Sequence, residues 1–162
     1  MTLQSLKLPD VNVLLHAVDT THPSHDVART WLQNALASGG RGGGGARGGG
    51  GVGFAWLVLV GCVRVSTRVG ILTKPLPVAD SLGIMDDWLH HEGARVIHPG
   101  ERHAGVMGAL LLAVGTAGNL TNDAHLGALA IEQDAIVGTF DKDFKRFPGV
   151  KLDLLKARPG KN

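Results

Sequence analysis

The chain predicts an α/β fold with a mainly parallel sheet of four or five strands flanked by helices, and three observations carry that expectation. Short apolar runs alternate with helical periodicities along most of the length, the βαβα order that builds parallel sheets. Ala135 to Phe140 reads as one continuous apolar run, as a central strand buried on both faces requires. Four aspartates, Asp10, Asp123, Asp141 and Asp143, stand at the ends of such runs. In an open α/β sheet those positions converge on one crevice beyond the carboxyl ends of the strands.

Taken in order, Lys7 to Pro9 is the end of a first strand and Val11 to Val18 a short helix. His22, Pro23 and Ser24 mark a turn, with Ser24 placed to cap the helix that follows. Ala28, Trp31, Leu32, Ala35 and Leu36 recur at helical spacing, so a helix runs from about Ser24 to Ala37. Val52 to Trp56 is a second strand and Leu57 to Thr67 a helix whose Leu59, Val63 and Ser66 share a face. Val78 to His91 is amphipathic, with Leu82, Met85 and Leu89 on one stripe. Arg95 to Ile97 is a third strand. Glu101 to Gly115 is an apolar helix with Val106, Ala109, Leu110 and Ala113 inward, and Asp123 to Gln133 another with Leu126, Leu129 and Ala130 inward. After the strand at 135–140, Phe144 to Phe147 is a brief helical turn and Val150 to Leu155 an edge strand.

At 162 residues the chain is long enough for one full core. Residues 1–156 are expected to form one domain and 157–162 a loose tail. A net charge of +2 permits a nucleic-acid substrate without demanding one. The single Cys62 excludes an internal disulfide and fits a reducing compartment; its apolar surroundings point to a buried, inert thiol. The longest apolar window, FAWLVLVGCV, is ten residues and precedes Arg64, too short for a membrane span. With no apolar leader visible, the chain reads as cytoplasmic.

Residues 39 to 53 read GGRGGGGARGGGGVG, and 11 of the 15 are glycine. Each glycine costs roughly 0.5–1 kcal/mol relative to alanine inside a helix or strand. The segment is therefore expected to be a flexible connection between a helix and a strand. A phosphate loop needs Lys-Ser or Lys-Thr after its glycines, and none follows. An arginine-glycine RNA-binding segment would have only Arg41 and Arg47 and no aromatics between them.

Gathered carboxylates repel one another unless a hard cation such as Mg²⁺ or Mn²⁺ lies between them, so the four aspartates suggest metal-assisted phosphate chemistry. Each also has a purely structural use: Asp123 as a helix cap, Asp141 and Asp143 as a turn with Asp143 capping the short helix after it. Lys142, Lys145 and Arg146 beside the acidic pair are candidate phosphate contacts. Arg64 and Arg68, four apart on a predicted helix, could contact RNA phosphates, form a solvated face or make a salt bridge to the site's acids. His125, two residues past Asp123, is read as a packing or surface residue more readily than a site residue. The pair His22 and His25 brackets a proline and lacks cysteine partners, which argues against zinc. Trp31, Trp56 and Trp88 lie within apolar patterns and read as core or interface.

The segments carry a resemblance to a known family. LPDVNVLLHAV resembles the opening D-x-N-V-L-L of PIN-domain ribonucleases, and NLTNDAHLGALAIEQDAIVGTFDKDFKRFPGVKL resembles the closing half of the VapC-type toxins within it. VGFAWLVLVGCVRVSTR is similar to a W-x-V-L-x-G-F-x-R stretch of one subgroup. The resemblance implies a PIN-like three-layer sandwich and a Mg²⁺- or Mn²⁺-dependent ribonuclease. It places metal ligands at Asp10, Asp123, Asp141 and the less regular Asp143, with Asn12 and Thr139 as supporting hydrogen-bond partners. It implies homodimers and a cognate VapB-type antitoxin as partner. One departure stands out: the family usually carries a glutamate where this chain has Gly61, and no acid occurs between Asp26 and Asp80. A catalytically degenerate PIN domain that binds an antitoxin or RNA is the alternative. A haloacid-dehalogenase-like phosphatase would need an aspartate where Asn12 stands and a site lysine where only Lys74 is available.

Overall fold

The computed structural model describes residues 4–40 and 49–159. The expected flexible connection, with Arg41 and Arg47, falls mostly outside the described residues, as does the end of the tail. Five strands pair in the order β3-β2-β1-β4-β5, all parallel: β1 (Lys7–Pro9), β2 (Val52–Ala55), β3 (Ala94–Ile97), β4 (Ile136–Thr139) and β5 (Lys151–Leu154). The helices are α1 (Val11–Val18), α2 (His25–Gly39), α3 (Trp56–Ser66), α4 (Val78–His90), α5 (His103–Val114) and α6 (Thr121–Glu132), with 3-10 turns at Gly118–Leu120 and Lys142–Arg146.

The connectivity positions the site. From β1 the chain steps outward through β2 to β3, then returns across the sheet to β4 on the other side of β1. The reversal opens a crevice beyond the carboxyl ends of β1 and β4, where such sheets bind ligands. The pairing is close: Pro9 lies opposite Gly138, and the Asp10 amide donates to the Gly138 carbonyl at 2.9 Å. β2 is buried throughout and β4 nearly so, the burial a central parallel strand needs, whereas edge strands β3 and β5 keep exposed positions. The core runs through Leu8, Leu14, Phe54, Leu59, Leu129, Val137 and Phe144. Each such side chain contributes about 1.5–3 kcal/mol through burial.

Several expected boundaries move for local reasons. α6 begins two residues early because the turn at Gly118–Leu120 feeds straight into it: the Thr121 amide donates to the Gly118 carbonyl and Leu120 takes the cap position. Ser24 stands at the cap of α2, but its side chain makes no capping bond. Trp56 opens α3 rather than closing β2 and is 47% exposed, so it is not a core residue. On α4 the expected stripe is rotated: Leu82 is exposed, Met85 and Leu89 are half-buried, and Ser81 is the buried position, bonded to Ser66 of α3 at 2.8 Å. On α5 only Leu110 of the expected inward residues is buried, and Ala109 and Ala113 face solvent. Gly115, at φ +81°, ends that helix in the left-handed conformation glycine adopts without strain.

The described flanks of the glycine-rich segment are the end of α2 and the residues leading into β2. Its flanks touch: a Cβ on Gly39 would lie 2.7 Å from the Gly51 Cα and 2.8 Å from that of Gly93. On β4, Gly138 lets the indole of Trp31 lie flat on the strand, and the Trp31 Nε1–H donates to Asp153 on β5 at 2.9 Å. A Cβ at Gly138 would drive into that ring. Gly138→Ala should therefore cost about 1–3 kcal/mol by overpacking and lower the thermal midpoint by several degrees, read by calorimetry.

Candidate active site

Asp10 lies where β1 becomes α1. It caps the helix, its Oδ1 accepting from the Val11 amide at 2.7 Å. Its Oδ2 accepts from the Thr139 hydroxyl at 2.8 Å and from Asn12 Nδ2 at 3.2 Å. Asn12, two residues into α1, also accepts at Oδ1 from the Phe140 amide at 3.3 Å. Thr139 Oγ1, fully buried at the end of β4, accepts from the Asp141 amide at 3.0 Å. The side chains of Asp10 just past β1, Asn12 on α1 and Thr139 on β4 thus form one closed hydrogen-bond unit that fixes the Asp10 carboxylate and the backbone carrying Asp141.

Beyond β4, Asp141 Oδ1 accepts from the Asp143 amide at 2.8 Å. Asp141, not Asp143, therefore caps the 3-10 turn, correcting the expected capping role of Asp143, whose side chain is exposed. Asp123 is the third residue of α6 rather than its cap, so the helix-cap reading of this residue is overturned. Its first-turn position brings a half-buried carboxyl to the same crevice.

The electrostatics measure how closely the acids gather. Asp123 is pushed up to about 7, first by burial and then by the negative charges of Asp10, Asp141 and Asp143. The helix N-terminus acts the other way, favouring the anion, and is outweighed. Asp10 is raised by burial and by Asp141, against the opposing hydrogen bonds from Thr139 and Val11. An all-oxygen donor set carrying this excess charge matches the chemistry of a hard divalent cation. Among the described residues, however, no three acidic, imidazole or thiol side chains converge closely enough to cage an ion unaided. Gly61 on α3 sits against α1: a Cβ there would lie 3.3 Å from Val11 Cγ2, one residue from Asp10.

The other expected residues divide. Lys142, Lys145 and Arg146 are exposed on the 3-10 turn that Asp141 caps, beside Asp143. Arg64 and Arg68 do not share a helical face. α3 ends at Ser66, where the Thr67 hydroxyl bonds back to the Val63 carbonyl at 2.8 Å and the last turn tightens, leaving Arg68 in the turn beyond. None of these five cations enters an ion pair among the described residues. His125 is tied to α5: its Nδ1 lies 2.8 Å from His103 Nε2, and His103 Nδ1 lies 2.6 Å from Glu132 Oε2. Burial, then His103, lowers the His125 value. No periodicity joins three residues on two helices, so this chain of bonds had no sequence signal. The zinc reading of His22 and His25 has no geometry behind it: His22 Nδ1 accepts from the Ser24 amide, and His25 Nδ1 faces the His16 carbonyl. Cys62 is buried and its thiol is pushed up to about 12 by desolvation, the inert behaviour expected of it. A groove of about 630 Å³ between α1, α2 and α4 contains none of the four aspartates. No helix among the described residues is long and apolar enough to cross a membrane.

A five-stranded parallel sheet with carboxylates at its switch crevice defines a class, and sequence comparison names it. Residues 7–150 match the PIN domain family. The chain is 42% identical to Ribonuclease VapC37 of Mycobacterium tuberculosis over 91% of its length and 96% of that protein's. It is 35% identical to Ribonuclease VapC33 of the same organism over 89% of its length and 94% of that protein's. The fold is similar to that in VapBC2 from Rickettsia felis bound to a promoter DNA fragment, with a TM-score of 0.65, 18% identity, and coverage of 93% of this chain and 99% of the other. It is also similar to VapBC-1 from nontypeable Haemophilus influenzae, with a TM-score of 0.61, 14% identity, and coverage of 92% and 97%. This chain belongs to the PIN domain family.

The raised value of Asp123 makes a stability prediction. Its folded-state value, about 7, exceeds the unfolded 3.8, so the folded state resists ionisation. The penalty is absent below the unfolded value, grows as pH rises through that interval and is complete above about 7. Asp123→Asn should therefore be the more stable protein at pH 8 in EDTA, by about 1–2 kcal/mol after allowing for a half-exposed group, and equal to the parent near pH 4. Urea titrations at the two pH values read the difference.

Proposed function

We propose that this chain is an endoribonuclease that hydrolyses RNA phosphodiester bonds with a divalent cation, Mg²⁺ or Mn²⁺, and is neutralised by a cognate VapB-type antitoxin. The observation that carries the reading is the gathering of four carboxylates at the β1–β4 crevice, where Asp123, pushed up to about 7 first by burial, also feels the charges of Asp10, Asp141 and Asp143. Identity to proteins named as VapC ribonucleases, and the likeness to VapBC structures, support the toxin assignment. On this reading the chain is one PIN-like domain over residues 1–156, forms homodimers and works in the cytoplasm.

Asp10, Asp123 and Asp141 would hold the cation, with Asp143 completing the set or orienting the attacking water. The bound cation supplies a nucleophilic water at neutral pH and offsets charge on the phosphate oxygens. The chain's own residues do the rest. Thr139 and Asn12 hold the Asp10 carboxylate in one orientation, so it need not reorganise as substrate arrives. The acid cluster holds the negative charge that makes a cation bind. Lys142, Lys145 and Arg146 lie exposed beside it, where they can take substrate phosphates, and Arg64 and Arg68 offer further positive charge at the end of α3.

Gly61 and the absence of a ready three-ligand cage favour a second reading, a PIN domain that binds antitoxin or RNA without cutting. Cleavage of RNA by the purified protein separates the two. Activity should vanish with EDTA, return with Mn²⁺ and fall at least about 100-fold in Asp10→Asn; equal activity in that variant overturns the assignment. Gly61→Glu should tighten Mn²⁺ several-fold by calorimetry, because the new side chain starts beside Val11 at the rim of the crevice.

A further inference from the structure

Next to the acids lies a cluster of rings that the chemistry above does not use. His16 and His22 stack with centroids 3.7 Å apart and planes 9° from parallel, and His16 meets Phe140 edge-on at 5.0 Å. All three are only part-buried. The cluster is wired to the site. Asn12 and His16 lie one turn apart on the face of α1 that looks onto the end of β4, and both touch Phe140. Phe140 directly precedes Asp141, and its amide donates to the same Asn12 that bonds Asp10.

The rings are also held in place. His22 Nδ1 accepts from the Ser24 amide at 3.0 Å, which leaves the proton on Nε2. The His16 carbonyl is bonded to His25 Nδ1 at 2.9 Å. Burial, and next His22, push His16 down to about 4, so that ring is uncharged at neutral pH and stacks on His22 without charge repulsion. Single-stranded RNA is recognised by stacking unpaired bases on such rings, at about 1–3 kcal/mol per base.

We propose that His16, His22 and Phe140 form a stacking platform at the rim of the acidic crevice that takes an unpaired RNA base flanking the scissile phosphate. The inference rests on the ribonuclease reading for its catalytic meaning, but binding tests it separately. His22 is the outer ring and acts through substrate position, so it is a positioning residue.

The test uses the full-length chain and a fluorescein-labelled 12-nucleotide single-stranded RNA with Mn²⁺, reading equilibrium binding by anisotropy and cleavage by gel. The expected result is that His22→Ala weakens binding and raises KM about 10-fold or more, changes kcat less than 2-fold, and that His22→Phe restores both binding and KM. The thermal midpoint is measured for each variant. Binding and KM unchanged in His22→Ala, or lost in His22→Ala without rescue by His22→Phe, overturn the platform whatever the cleavage result. Tight, His22-dependent binding without cleavage supports the platform and overturns the nuclease reading. No binding of the oligonucleotide by the parent protein overturns both.

Discussion

The pairing of β1 with β4 is the constraint on which the rest depends. Those strands come from opposite ends of the chain, and their register places Pro9 opposite Gly138. Only that register lets the Thr139 hydroxyl reach Asp10 at 2.8 Å while its oxygen accepts from the Asp141 amide. A slip of one residue would turn Thr139 to the other face of the sheet and leave a buried carboxylate unpaired. Gly138 permits the register by accepting Trp31 on the strand, and Trp31 in turn reaches Asp153, which pairs with Lys7 at 2.6 Å. Packing at the middle of the sheet and the orientation of the site's first acid are therefore one structural problem.

The crevice carries more negative charge than an isolated protein tolerates comfortably. Two of its carboxylates are raised above the ordinary range, chiefly by burial, with neighbouring acids adding to it. A fold that selected only for stability would neutralise such a cluster with lysine or arginine, yet the nearby Lys142, Lys145 and Arg146 stay exposed and unpaired with it among the described residues. Gly61 on α3 stands against Val11, the residue after Asp10.

Most of the architecture was legible beforehand because hydrophobic period and chain punctuation report burial directly. β1 and α1 have the expected bounds, and the run at 135–140 holds the interior parallel strand β4. The errors have physical causes. Helix starts moved where a 3-10 turn supplied backbone bonds that no cap residue signals, as at Leu120. Amphipathic stripes on α4 and α5 were misassigned because alanine and leucine mark apolarity, not which neighbour covers it. Arg64 and Arg68 parted because hydroxyl back-bonding at Thr67 closes α3 one residue too soon.

The sequence by itself determined the fold class and the order of the elements, because both are written in local pattern and composition. It also shows that no Asp or Glu occurs between Asp26 and Asp80, where the family resemblance implies a glutamate. Only the tertiary structure decided which aspartate caps which helix, that Asp123 sits among three other carboxylates, and that His125 answers to His103 and Glu132 rather than to the acids. The stacked His16 and His22 beside Phe140 were likewise invisible, since Phe140 is more than a hundred residues from both. Contacts of that separation depend on strand order and register, which no local pattern encodes.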